Sequence, residues 1–94
     1  MAQIKIYGHA AHLNAHRDAI SDAIHSCAMA ELGLPEEKRF HRFIPLKPEN
    51  FIHPRNRSEN YTIIEISLFE GRTVETKKAF IRALYAEFEE DGLA

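Results

Sequence analysis

The 94-residue sequence predicts an α+β domain in which two helices pack on one face of a small mixed sheet. Three observations carry that expectation. The stretch from Ile64 to Leu84 reads as a strand, reaches Glu70-Gly71-Arg72, and then takes up helical spacing from Thr73. A weaker copy of this design lies near the amino terminus at an offset of 60. Ile4 and Ile6 fall on Ile64 and Ile66, Ala11-His12 on Gly71-Arg72, and Ile20, Ala23 and Ile24 on Phe80, Ala83 and Leu84. The elements run strand–helix–strand and then strand–helix, and a helix joining two strands implies a parallel pair with a right-handed crossover. Two copies are too few for a solenoid. They suit one domain over residues 1–94, with pseudo-repeats at 3–46 and 61–91 related by a pseudo-twofold.

Gln3 to Tyr7 alternates, with Ile4 and Ile6 on one face, as a short strand does. Gly8 to Leu13 reads as a turn, and Asn14 as the N-cap of a helix running to about Leu32. The apolar stripe of that helix is Ile20, Ala23, Ile24, Cys27, Ala28 and Leu32. Cys27 is the one cysteine, and within this stripe it reads as a buried thiol. Gly33 suits the position after the helix end, with Pro35 just beyond. Lys38 to Leu46 is the second strand, with Phe40, Ile44 and Leu46 on one side. Pro45 removes a ladder donor and makes the strand an edge or a bulged one. Lys47 to Asn60 is the longest loop, the kind of segment that often serves a site. Tyr61 to Phe69 is the clearest strand. Thr73 then caps a second helix to about Glu90, with Phe80, Ile81, Leu84 and Phe88 as its buried stripe. The acidic run Glu87, Glu89, Glu90 and Asp91 opposes the macrodipole at that helix end and favours fraying.

Composition narrows the class. With 45% hydrophobic and 28% charged residues, the chain has the makeup of a soluble globular domain. A net charge of −2 with neutral His argues against nucleic acid as the main partner. No apolar run approaches the ~18 residues of a membrane span, and no signal-peptide pattern opens the chain, so a reducing cytoplasm is the expected location. A core of this size is modest, and oligomerisation is a common way to bury more apolar surface.

Leu34-Pro35 after the first helix, Pro48-Glu49-Asn50-Phe51-Ile52 in the loop, and Ile64 to Lys78 with its Glu-Gly-Arg-Thr and Lys-Lys together resemble the tautomerase superfamily. The likeness is to its longer members, the 4-oxalocrotonate tautomerase and malonate semialdehyde decarboxylase-like proteins with two fused strand–helix–strand units, and it covers Ile4 to about Glu90. It implies a trimer, or a higher oligomer built from trimers, around a central barrel of sheets. It also implies chemistry by an amino-terminal proline acting on 2-oxo and unsaturated acids, with arginines holding the carboxylate and no cofactor or metal.

Three departures shape what the resemblance implies here. Residue 2 is Ala rather than Pro, so removal of Met1 leaves a primary α-amine on Ala2. Such an amine titrates near about 7.7–8.0, lower beside a cation such as Arg72, and takes a proton at neutral pH or forms an imine with a carbonyl. The position of the family's water-activating carboxylate looks like Lys38, which favours proton transfer over hydration or decarboxylation. The chain stops after the second helix, where the family adds a final strand, leaving a sheet edge open or supplied by a neighbour.

The resulting candidates are Ala2 as the base and Arg72 as the carboxylate anchor, at a strand end before a helix N-terminus where anions are favoured. Lys38, Arg39 and Phe51 are the candidate substrate contacts. Arg39, His41 and Arg42 flank Phe40 as a basic pocket edge or as the solvated face of a half-buried strand, and Phe51 is either a pocket wall or a loop anchor. His12 occupies the place of Arg72 in the first repeat, but Thr62 stands where Ala2 would be and has no free amine. His9, His12 and His16 would share a face on a continuous helix and could then hold a metal, but a helix starting at Asn14 separates them, and surface histidines are the plainer reading. The functional expectation is keto–enol proton transfer on a small 2-oxo or unsaturated carboxylic acid. The alternative is a non-catalytic binding or assembly protein on the same fold.

Overall fold

In the computed structural model, which describes residues 2–58, 60–68 and 73–93, the chain runs β1 (Ala2–His9), α1 (Ala10–Leu32), β2 (His41–Leu46), a 3-10 turn (Pro48–Asn50), β3 (Thr62–Leu68) and α2 (Val74–Glu90). The sheet order is β2-β1-β3. β2 lies parallel to β1, with Ile4 opposite His41 and Ile6 opposite Phe43. β3 lies antiparallel to β1 in a register centred on Lys5 and Glu65, so Ile4 faces Ile66 and Ile6 faces Ile64. This is the mixed sheet with two helices on one face that the pattern predicts.

Alternation explains the layering. Ile4 and Ile6 are buried in one cluster with Ile20, Ile24 and Ala28 of α1 and Phe80, Leu84 and Phe88 of α2, and Phe43, Ile64 and Ile66 pack against it. Lys5, Arg42 and Glu65 are exposed on the other face, where the Tyr7 hydroxyl hydrogen-bonds to Glu65. That contact, with some desolvation and the carboxylate's charge, raises the Tyr7 pKa. Among the described residues no helix covers this second face. Pro45 sits on β2, an edge strand, where its missing N–H breaks no ladder.

Four expectations need correcting. Helix α1 starts at Ala10, directly from β1, rather than at Asn14 after a turn. His9 occupies the N-cap position without a side-chain cap, and the Asn14 amide oxygen instead accepts from Arg17 at 2.6 Å. Burial drives the early start. Leu13 is fully buried and lies so close to Gly8 that a Cβ there would stand 3.2 Å from its side chain. The helix accommodates the junction with non-helical backbone at His16 (φ −124°, ψ 18°). Second, β2 begins at His41 rather than Lys38. The Lys38 N–H closes a turn onto the Pro35 carbonyl, and it is Phe43 that meets the core. Third, Ile81 is 46% exposed rather than part of the α2 stripe, because α2 packs on α1 and leaves a groove beside β3. Fourth, β1 and β3 reach Ala2–His9 and Thr62–Leu68; Phe69, the expected end of the latter, lies outside the described residues.

The remaining boundaries agree with the pattern. Gly33 ends α1 in the left-handed conformation (φ 68°), and Thr73 caps α2 by accepting from the Thr76 N–H at 3.1 Å. Cys27 is buried, which raises its thiol pKa, with Glu87, Glu31 and Asp91 adding to the effect. No described helix is long and apolar enough to cross a membrane.

Candidate active site

The sheet register brings part of the expected site to one end of the molecule. Ala2 opens β1 and pairs with Leu68, the last residue of β3. On the other side, the Ile4 N–H donates to the Phe40 carbonyl at 3.0 Å, which places the Lys38–Arg39 segment beside the start of β1. Arg72 follows Leu68 by four positions in sequence, but it lies outside the described residues, as do its neighbours Glu70 and Gly71.

The two basic candidates differ. The Lys38 side chain is exposed. The Arg39 guanidinium is tied to α1, with Nη1 2.7 Å from the Asp22 carboxylate and 3.4 Å from Ser21 Oγ. Ser21 Oγ also lies 2.7 Å from His41 Nδ1. His41 is pushed down to a pKa of about 4, first by burial and then by the charges of Arg39 and His25. It is therefore neutral at pH 7, and it shares one hydrogen bond with the Ser21 hydroxyl, which also accepts from Arg39. This network ties the residue after Lys38 to α1. Sequence reasoning missed it, because Ser21 and Asp22 on a helix and His41 on a strand share no local motif.

Phe51 stands elsewhere. It is buried, stacks on Tyr61 (centroids 5.8 Å apart, planes at 16°) and touches His9 at 5.1 Å. His9 ends β1, so about seven strand steps, roughly 23 Å at ~3.3 Å each, separate this cluster from Ala2. Within one chain Phe51 and Ala2 do not meet. The three histidines noted in the sequence are also divided. His12 and His16 lie on α1 with rings 5.0 Å apart, whereas His9 pairs with His53. His12, expected at the surface, is instead buried in α1 with no partner for Nε2, and desolvation, with the neighbouring His16 and His9, lowers its pKa.

A groove of about 640 Å³ lies elsewhere on the sheet. It runs between β3 and α2, walled by Ile64, Ile66, Leu84 and Phe88 with Ile81 and Tyr85 on its rim. Its apolar lining follows from β3 being a sheet edge with no strand beyond it among the described residues. It has the shape of an uncovered seam in the core rather than of a polar reaction site.

Comparison with known proteins agrees with this architecture. Residues 38–93 match the model of a family described as tautomerase enzyme. Malonate semialdehyde decarboxylase from FG41, solved with the inhibitor 3-bromopropiolate, is 27% identical with a TM-score of 0.79, covering 98% of this chain and 74% of that one. A second malonate semialdehyde decarboxylase, whose structure was related to decarboxylase and hydratase activities, is 19% identical with a TM-score of 0.77 over 95% of this chain and 72% of that one. A fused 4-OT (R7), solved as an asymmetric trimer, is 18% identical with a TM-score of 0.76 over 94% of this chain and 72% of that one. The last two likenesses concern the fold alone.

Proposed function

The chain belongs to the tautomerase enzyme family, and on that premise we propose that it is an isomerase moving a proton between oxygen and carbon of a small 2-oxo or unsaturated carboxylic acid. The observation that carries this reading is the position of Ala2, the first residue of β1, set between the end of β3 and the Lys38–Arg39 segment. Removal of Met1 leaves the Ala2 α-amine at the strand end. An α-amine titrating near about 7.7–8.0 is partly unprotonated at neutral pH, and nearby cations increase that fraction. It takes the enol proton and returns it to the adjacent carbon, while Arg72 and Lys38 hold the carboxylate. Lys38, an ammonium, cannot activate water as a carboxylate does, so proton transfer is favoured over the hydration or decarboxylation chemistry of the malonate semialdehyde decarboxylases. The uncovered sheet face and the distance between Phe51 and Ala2 are accommodated by a homotrimer, or a higher oligomer of trimers, in which Phe51 of one copy approaches Ala2 of another.

A binding or assembly subunit without turnover is the second reading. It draws on the engagement of Arg39 by Asp22, which leaves one fewer cation for substrate. Following enol-to-keto conversion of a phenylpyruvate-type enol, with wild-type protein and with Arg72→Ala, separates the two. Turnover that falls about 100-fold or more in Arg72→Ala supports the isomerase. Small-acid binding that is lost in Arg72→Ala, in a protein with no turnover, supports the binding subunit.

A further inference from the structure

At the far end of β1 the proposed isomerase uses Phe51 but not the two histidines beside it. There the Nε2 atoms of His9 and His53 stand 2.8 Å apart across 44 residues of sequence. His53 Nδ1 lies 3.1 Å from the Pro54 carbonyl oxygen, which can only accept. Nδ1 therefore carries the ring hydrogen, and Nε2 presents its lone pair to His9. A backbone carbonyl on the other ring nitrogen is the usual device for orienting a metal-binding imidazole. Without a metal, His9 donates from Nε2. If its proton moves to Nδ1, no net proton is lost, and a turn of both rings aims the two lone pairs at one ion beside the pair.

The spacing selects among metals. Two nitrogens at about 2.0 Å from an ion and at right angles are about 2.8 Å apart, whereas a tetrahedral angle requires about 3.3 Å. We propose that His9 and His53 form a two-imidazole site for a divalent ion of tetragonal preference, Cu²⁺ foremost. Phe51 and Tyr61 hold the rings in place: Phe51 packs on both imidazoles, at 5.1 Å from His9 and 5.4 Å from His53, and Tyr61 meets His53 edge-on at 5.4 Å. Among the described residues no third His, Cys, Asp or Glu joins the pair, so the other positions take solvent. Arg57 over the Tyr61 ring and the amino terminus of α1 both disfavour a bare dication, which favours an anionic co-ligand such as hydroxide or chloride. The bound ion ties the loop after β2 to the β1–α1 junction.

The test is titration of Cu²⁺, and separately Zn²⁺, into the full chain, read by calorimetry and by electron paramagnetic resonance. The wild type is expected to bind one Cu²⁺ per chain with an axial signal split by two nitrogens, and to bind Zn²⁺ more weakly. His9→Ala and His53→Ala, each verified as folded by circular dichroism, lose at least tenfold in Cu²⁺ affinity, while His16→Ala keeps it. Copper should also protect the 47–60 loop from proteolysis in the wild type and not in His53→Ala. Unchanged Cu²⁺ binding in His53→Ala, loss of binding in His16→Ala, or no binding by the wild type overturns the proposal and leaves the pair a plain hydrogen bond.

Discussion

Helix α1 lies between two strands in the chain and buries nine of its residues, whereas α2 follows a single strand and buries three. The difference is not one of apolar supply, since α2 carries Val74, Ile81 and Tyr85 at 60%, 46% and 76% exposure. It reflects what stands across the sheet edge. β2 flanks β1 and gives α1 a floor to pack on, while the outer edge of β3 has no neighbour among the described residues and α2 leans on α1 instead. Burial along a helix is thus set by the strand on its far side as much as by its own stripe. The same asymmetry locates the 640 Å³ groove.

Truncation along α2 is the strongest way to break that comparison. Phe80→Ala, at the seam with α1 and 1% exposed, should cost about 3–5 kcal/mol of unfolding free energy in denaturant melts. Ile81→Ala, one residue on at the groove rim, should cost only about 1 kcal/mol, since nearly half of its surface stays in water. Equal losses would mean that the groove is closed in solution.

Acid should act mainly on the first half. Folded His41 protonates only near pH 4, whereas the unfolded chain does so near 6.5, so the unfolded state binds more protons in between. Stability should therefore fall as pH drops from 6.5 toward 4, and His41→Gln should remove on the order of 1–3 kcal/mol of that loss, read as melting temperature against pH. His12, also depressed by burial, contributes in the same direction.

The helix starts give the smallest contrast. Thr73→Ala should cost about 1 kcal/mol, because Thr73 caps α2. Asn14→Ala should stay within about 0.5 kcal/mol, because Asn14 sits inside α1 and only meets Arg17.

Much of the fold was legible because period and punctuation agree at most element ends. Thr73, the alternating isoleucines of β3 and Gly33 each have one local meaning, and the structure uses it. The start of α1 was not legible, because Asn14 carries a strong cap signal that the burial of Leu13 against Gly8 overrides. Ile81 was misread because helical spacing does not say which element lies opposite. At the site, the parallel pairing of β1 and β2 was readable from the strand–helix–strand order, whereas the turn at Lys38 was not. The bridge from Arg39 to Asp22 and the His9–His53 pair join residues 17 and 44 positions apart, and no local pattern encodes such contacts.

The most direct test of the isomerase is its rate as a function of its amino terminus. Enol-to-keto conversion should be measured on protein shown by intact mass to begin at Ala2, and on an Ala2→Lys variant shown to retain Met1. The account predicts turnover with the free Ala2 amine and at least a 100-fold loss when Met1 remains, because the amine is then moved one residue from the strand end. Equal rates from the two proteins, or no turnover from the Ala2-terminated chain, would contradict it.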